Sequence, residues 1–204
     1  MFKSISDTVL FLDTETGGVS DEYSLLSVAL IKVDEDLNPI DELEILIKHT
    51  HYVINSAAVK INKFDVLKHE DTSLLQPFQE LTSLHGAKNS LTDFIQKNFA
   101  GIKPSMAAWN SPFDYRFIRN HLFDASDAKY SEVLGYRQHD LSSIISAMCH
   151  AGIFTFQNKG MQHVCKELDI DPGNAHTAID DVRTMIKLYK IILTILGKVK
   201  YGKD

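Results

Sequence analysis

Two cysteines in 204 residues, Cys149 and Cys165, leave no material for a disulfide framework. Both fall in stretches with helical patterning, so packed, reduced thiols and a cytoplasmic protein are expected. The five prolines and ten glycines are scattered without a period, which excludes collagen-like and low-complexity chains. No apolar run approaches the roughly 20 residues that a membrane span needs. The opening residues, Met1 through Asp7, lack the long apolar core of a signal peptide. No membrane partner is therefore expected. Positive charge is also in short supply: 21 Lys and Arg against 27 Asp and Glu give a net charge of −6. That excludes a protein that coats nucleic acid through a broadly basic surface. It leaves room for an enzyme that holds a strand end through metal ions and a local basic rim. With 44% apolar residues, the chain is long enough for a single domain with a proper core.

The most informative stretch is Val9-Leu10-Phe11-Leu12-Asp13-Thr14-Glu15-Thr16-Gly17-Gly18. Residues 9–12 read as a buried strand that ends in two acids spaced i, i+2. Alternate strand residues share a face, so Asp13 and Glu15 project the same way, roughly 6–7 Å apart. Two adjacent carboxylates at the end of an apolar strand repel each other and are costly to desolvate. A hard divalent cation with a preference for oxygen ligands resolves both problems; two solvated strand-end acids are the alternative.

Residues 25–33 and 43–47 read as two further strands, joined by the polar loop 34–39 into an antiparallel meander. His49 and His51 alternate but have no third ligand nearby, which argues against a metal site there. Residues 54–65 carry Lys60, Asn62 and Lys63 and read as loop and short helix. Residues 67–84 show no strong period and read as a connection with one turn of helix. Asn89-Ser90 caps a helix over 89–99 with Leu91, Phe94, Ile95 and Phe99 inward, ended by Gly101. Residues 105–109 form a strand that runs into Asn110-Ser111-Pro112-Phe113-Asp114. There, Ser111 suits the N-cap, Pro112 the first helical position, and Asp114 the first turn of a helix to about residue 123. Asp140 caps a helix over 141–150, or supports a metal site from behind. A short helix covers 160–168.

The final helix decides which acids matter. Thr177-Ala178-Ile179-Asp180 has the form of a capping box, which gives Asp180 a local role on a polar side with Thr184 and Lys187. Asp181 instead heads the apolar stripe Met185, Leu188, Ile192 and Ile195. A carboxylate leading the buried face of a helix needs a partner, so Asp181 is the one that calls for a cation. His176 lies at the loop–helix junction and titrates near neutrality, as a proton acceptor must. Asp13, Glu15, Asp114 and Asp181, brought together from separate elements, would suit a two-metal phosphoryl-transfer site.

These residues resemble the motifs of the DEDDh branch of the 3′→5′ exonucleases, the DnaQ-like family of the polymerase III epsilon subunit, ribonuclease T and oligoribonuclease. Phe11 to Gly17 matches its D-x-E block, Asn110 to Asp114 its N-x-x-F-D, and His176 to Asp181 its H-x-A-x-x-D. Residues 54–63 resemble the loop that touches the terminal nucleotide, with Asn62 where many relatives have His. Three motifs in order over about residues 7–196 are far more specific than any one alone.

The resemblance implies an RNase H-like fold: a mixed five-stranded sheet, its first three strands antiparallel, flanked by helices. It implies that Asp13, Glu15, Asp114 and Asp181 bind two divalent cations, Mg²⁺ or Mn²⁺, with His176 as general base. Backbone around Thr16, Gly17 and Gly18 would lie against the terminal nucleotide, together with Asn62, Asn110 and Phe113. Phe113 and Trp109 stack on bases unless the strand–helix junction claims them for packing. Arg116, Arg119, Lys60 and Lys63 are candidate phosphate contacts. The expected reaction is metal-dependent hydrolysis at the 3′ end of single-stranded DNA, releasing 5′-mononucleotides, in the setting of DNA repair or proofreading. An exoribonuclease of ribonuclease T or oligoribonuclease type is the rival, and a non-catalytic nucleic-acid-binding or polymerase-associated module the third reading. A single exonuclease domain with only a short basic tail, 197–204, favours a stand-alone enzyme over an epsilon-type one. The resemblance leaves homodimerisation and polymerase association open.

Overall fold

The long apolar run of residues 25–33 becomes the most deeply buried strand of the sheet, with all nine residues inaccessible. The computed structural model describes residues 8–61, 73, 75–123, 130–173 and 177–198. In chain order the elements are β1 (Val9–Thr16), β2 (Leu25–Val33), β3 (Pro39–Ile47), α1 (Ser56–Ile61), β4 (Gln79–Thr82), α2 (Leu84–Phe99), β5 (Ser105–Ala108) and α3 (Ser111–Leu122). They continue with α4 (Tyr130–Val133), β6 (Gln138–Asp140), α5 (Leu141–His150), α6 (Met161–Glu167) and α7 (Ala178–Lys198).

One sheet runs in the order β4-β3-β2-β1-β5-β6. As expected, β1, β2 and β3 form the antiparallel meander; β5 then pairs parallel to β1, and β4 and β6 add parallel edges. The sheet thus has six strands where five were expected. Both edges are short and half-buried, and Gln79 to Thr82 and Gln138 to Asp140 carry no apolar alternation to announce them. Their membership rests on backbone pairing with β3 and β5, which side-chain period does not report.

β1 divides its side chains between two cores. Val9 and Phe11 face the layer of α5, α6 and α7, while Leu10 and Leu12 face α2 and α3. Each face of β2 is likewise covered, so its sequence is apolar on both faces apart from Ser27 and Lys32 rather than alternating.

Two helix starts differ from expectation. α2 begins at Leu84, capped by Ser83, whose hydroxyl accepts from the Gly86 amide at 3.2 Å; Asn89 and Ser90 sit inside the helix. At α3 the N-cap is Asn110 in the left-handed conformation, φ 60°, and Ser111 is the first helical residue. Its hydroxyl donates to Gln138 instead, at 2.9 Å. The free Cys149 and Cys165 are packed as expected, Cys165 fully buried.

Ser83→Ala should destabilise the protein by about 1 kcal/mol through the lost cap. Asn89→Ala, at an exposed mid-helix site, should stay within about 0.5 kcal/mol. Urea denaturation of the two variants distinguishes this helix start from one at residue 89.

Candidate active site

The alternation that sorts β1 between two cores also aims its acids. Asp13 and Glu15 continue the face of Val9 and Phe11, toward α7, and Thr14 continues the opposite one. From α7 comes Asp181, which is 7% exposed and heads a buried stripe that includes Met185, Leu188 and Ile192. One ligand oxygen from each of Asp13, Glu15 and Asp181 lies within 4.8 Å of the others. The neighbouring Asp180 turns away: it pairs with Arg183 at 2.9 Å and accepts from the Thr177 hydroxyl at 3.2 Å. The helix phase therefore separates the two acids as the sequence pattern implies. Thr184, expected on Asp180's polar side, is buried instead and donates to the Pro172 carbonyl at 3.2 Å.

Asp114 reaches the same place from the other face of the sheet. Its Oδ1 accepts from both the amide of Thr14, at 3.0 Å, and the Thr14 hydroxyl, at 2.8 Å. Thr14 is the residue between the two acids, and its outward alternation lets it hold Asp114 from the α3 side. Asp140 steadies the start of α3, accepting from the Ser111 amide at 3.3 Å and from the hydroxyls of Ser142 and Ser143. Burial pushes the Asp140 carboxyl up, but those bonds outweigh it and hold the group below the usual range. Asp140 makes no side-chain bond to the backbone of its own helix α5.

Burial, then the charges of Asp114, Glu15, Asp181 and Glu44, raises the Asp13 carboxyl well above its ordinary value. Burial and the charges of Asp181 and Asp114 push Glu15 up to about 8. Burial raises Asp114 to about 7 against the opposing bonds from Thr14. Among the described residues, no lysine or arginine forms an ion pair with any of the three. A set of part-buried and buried, mutually repelling oxygen donors with raised pKa values suits a hard divalent cation, so these residues fit the metal that the motifs imply.

The acids line a cleft of about 310 Å³ with Thr14, Thr16, Gly18, Val19, Asn55, Trp109 and Phe113. Thr16 is nearly buried and its hydroxyl donates to the Gly18 carbonyl at 2.7 Å. Gly17 is not on the cleft wall. Its amide donates to the Ser24 carbonyl and its carbonyl accepts from the Asn55 amide, and a Cβ there would stand 2.2 Å from the Val53 oxygen. The close approach that Gly17 permits is thus to the chain's own 53–55 segment. Asn110 is exposed at the head of α3 and outside the cleft lining. Arg116 is paired with Asp21, and Arg119 and Lys60 are exposed. His176, Asn62 and Lys63 lie outside the described residues. His49 donates from Nε2 to the Leu25 carbonyl at 2.7 Å, a structural bond.

Sequence reasoning passed over Val19, Asn55 and Glu44. Glu44 is 4% exposed and occupies the same cross-strand row as Asp13, through Ala29, with Gln79 beyond. Burial raises its carboxyl, opposed by hydrogen bonds from Gln79 and from the Ile179 amide in the first turn of α7. On β3 it alternates with Leu43, Ile45 and Ile47, which reads as a solvated face; α7 covers that face.

The RNase_T exonuclease model matches residues 10–189. The chain belongs to this exonuclease family. Its D-x-E, N-x-x-F-D and H-x-A-x-x-D motifs place it with the DEDDh, DnaQ-like 3′→5′ exonucleases, as the resemblance implied. It is similar to the oligoribonuclease of Francisella tularensis subsp. novicida (strain U112), 27% identical over 185 residues, 89% of this chain and 91% of that protein. Its fold is similar to E. coli exonuclease I in complex with a dT13 oligonucleotide: TM-score 0.74, 19% identity, 94% of this chain and 41% of that one. It is also similar to the moderately thermophilic exonuclease I from Methylocaldum szegediense: TM-score 0.73, 15% identity, 93% of this chain and 41% of that one. The chain thus spans about two fifths of the exonuclease I proteins, and at these identities the likeness is one of fold.

The raised carboxyls set a pH dependence. A group whose folded pKa exceeds its unfolded value binds protons more tightly when folded, so it destabilises the protein as pH rises through that interval. For Glu15 the interval runs from about 4.5 to about 8. Metal-free protein should therefore melt at a higher temperature near pH 6 than near pH 8, and Glu15→Gln should flatten that difference. Scanning calorimetry in EDTA checks both. Asp181→Ala should abolish divalent-ion binding and turnover, whereas Asp180→Ala should keep metal affinity and cost about 1 kcal/mol or less of stability. Calorimetric Mn²⁺ titration separates them, and equal loss in both would overturn the assignment.

Proposed function

We propose that this exonuclease hydrolyses phosphodiester bonds stepwise from the 3′ end of single-stranded DNA, releasing 5′-mononucleotides. The observation that carries the reading is the convergence of Asp13, Glu15 and Asp181 within 4.8 Å, in one cleft with Asp114. Bound there, two Mg²⁺ or Mn²⁺ ions would supply a water of lowered pKa and charge stabilisation at the scissile phosphate. Asp13, Glu15 and Asp181 would hold them from the α7 side and Asp114, oriented by Thr14, from the α3 side. His176, by its place in the H-x-A-x-x-D motif, takes the proton from the attacking water. Thr16, Gly18, Val19, Trp109 and Phe113 form the walls against which the terminal nucleotide rests, with the Trp109 ring available to its base and the Phe113 ring packed on Phe117 under Arg116.

A cleft of about 310 Å³ is at the small end of ligand sites and suits one terminal nucleotide rather than a duplex. Exonuclease I, which shares the fold, was captured with the single-stranded oligonucleotides dT13 and dA16, and that supports the DNA reading. The similarity to an oligoribonuclease along 91% of its length favours a second reading, short RNA as substrate.

The test is digestion of 5′-labelled DNA and RNA strands, single and duplex, with Mn²⁺, Mg²⁺ or EDTA. The expected result is a metal-dependent ladder shortening from the 3′ end, with single-stranded DNA the best substrate. Preferential loss of RNA would overturn the DNA assignment, and intact strands throughout would favour a non-catalytic binding module. His176→Ala should slow hydrolysis by about 10²–10⁴-fold while Mn²⁺ affinity stays unchanged.

A further inference from the structure

Arg116 is a candidate phosphate contact by charge, yet its Nε and Nη2 are both engaged within the chain. It projects from α3 half-exposed, 44% of its side chain accessible. Its Nη2 donates to the Val19 carbonyl at 2.6 Å, and its Nε pairs with Asp21 Oδ1 at 2.9 Å. Asn120, one turn further along α3, donates to the other Asp21 oxygen at 2.7 Å. The guanidinium also lies over the rings of Phe113 and Phe117, 5.5 and 5.4 Å from their centroids. A half-exposed ion pair adds little to global stability. What it does here is local. Val19 and Phe113 both line the cleft, and the Val19 side chain is 76% exposed. Arg116 bonds the backbone of the first and covers the ring of the second.

We infer that Arg116 is a positioning residue that fixes Val19 relative to Phe113, and so sets the grip of the cleft on the terminal nucleotide without touching phosphate. The inference rests on the exonuclease reading of the cleft. The fork geometry of the guanidinium, which serves a carbonyl and a carboxylate at once, is what a lysine cannot reproduce. Asp21 has a share in the same arrangement, because it orients the guanidinium and is itself held by Asn120.

The two roles, positioning and phosphate contact, differ in salt dependence and in pairwise coupling. Steady-state kinetics on a single-stranded oligonucleotide, repeated across salt concentrations, should give Arg116→Ala a KM raised about 10-fold with kcat within about 2-fold. The slope of log KM against log salt should match wild type, and Mn²⁺ affinity should not change. Asp21→Asn should shift KM in the same direction, and the double variant should be no worse than Arg116→Ala alone. A salt slope lowered by about 1 in Arg116→Ala, with Asp21→Asn silent, would identify a phosphate contact and overturn the inference. So would an unchanged KM, or a fall in kcat that tracks a lowered melting temperature in both single variants. If Arg116→Ala does not fold, Asp21→Asn carries the same test through its KM and salt slope. An inactive wild type overturns the exonuclease reading and this inference with it. An active wild type with an unaltered Arg116→Ala overturns this inference alone.

Discussion

Mutual repulsion among clustered, part-buried carboxylates is the constraint that the rest of this fold accommodates. Asp13, Glu15 and Asp181 bring oxygens within 4.8 Å of one another, and burial joins like charge in lifting Asp13 and Glu15 toward the neutral acid. Nothing in such a cluster favours folding of the metal-free chain near neutral pH. The stabilisation comes from two apolar cores, one on each face of the sheet, that share β1 as their common wall. A strand whose residues 9–12 are fully committed to packing has no freedom to relieve the strain by sliding or rotating. The acids at its end are held in place by what precedes them.

The remaining elements serve that arrangement from both sides. α7 carries Asp181 at the head of a buried stripe, so the packing of Met185, Leu188 and Ile192 fixes the depth of a charge one turn and more away. The start of α7 is tied to the sheet through Glu44, which accepts from the Ile179 amide while lying in the same row as Asp13. On the opposite face, Thr14 anchors Asp114, and Asp140 anchors the first amide of the helix that bears it. Polar contacts of this kind contribute modestly to stability one by one. Their effect is on direction: each removes a way for an acid to turn out to solvent.

What could be read from the chain divides by range. Short polar connections gave the meander, and periodicity gave the phase that parts Asp181 from Asp180 and the pairing of Asp13 with Glu15, because each is a statement about a segment's own faces or its immediate neighbour. The short edge strands β4 and β6 were not legible, since Gln79 to Thr82 and Gln138 to Asp140 have no apolar alternation and exist through pairing alone. The start of α2 was placed late because Asn89-Ser90 is as good a cap in isolation as Ser83; only the chain's entry angle chooses between them. Glu44 and Gly17 were misjudged or missed for one reason. Each is defined by a partner distant in sequence, α7 for the first and the 53–55 segment for the second.

The two faces also differ in how completely the protein fixes its acids. Asp114 is preset, one oxygen taken up by two bonds from a single threonine, although burial still pushes its carboxyl up to about 7. Asp13 and Glu15 owe their direction to strand geometry, and burial raises their carboxyls as it does that of Asp114. A cation arriving in the cleft therefore meets one ligand already aimed, and raised carboxyls on both faces whose protons it must displace. Occupancy therefore depends on pH through β1 and α3 alike, and the asymmetry between the faces is one of aim. It follows from Thr14 alternating to the far face of the strand: one residue between two acids supplies the bonds that neither acid receives.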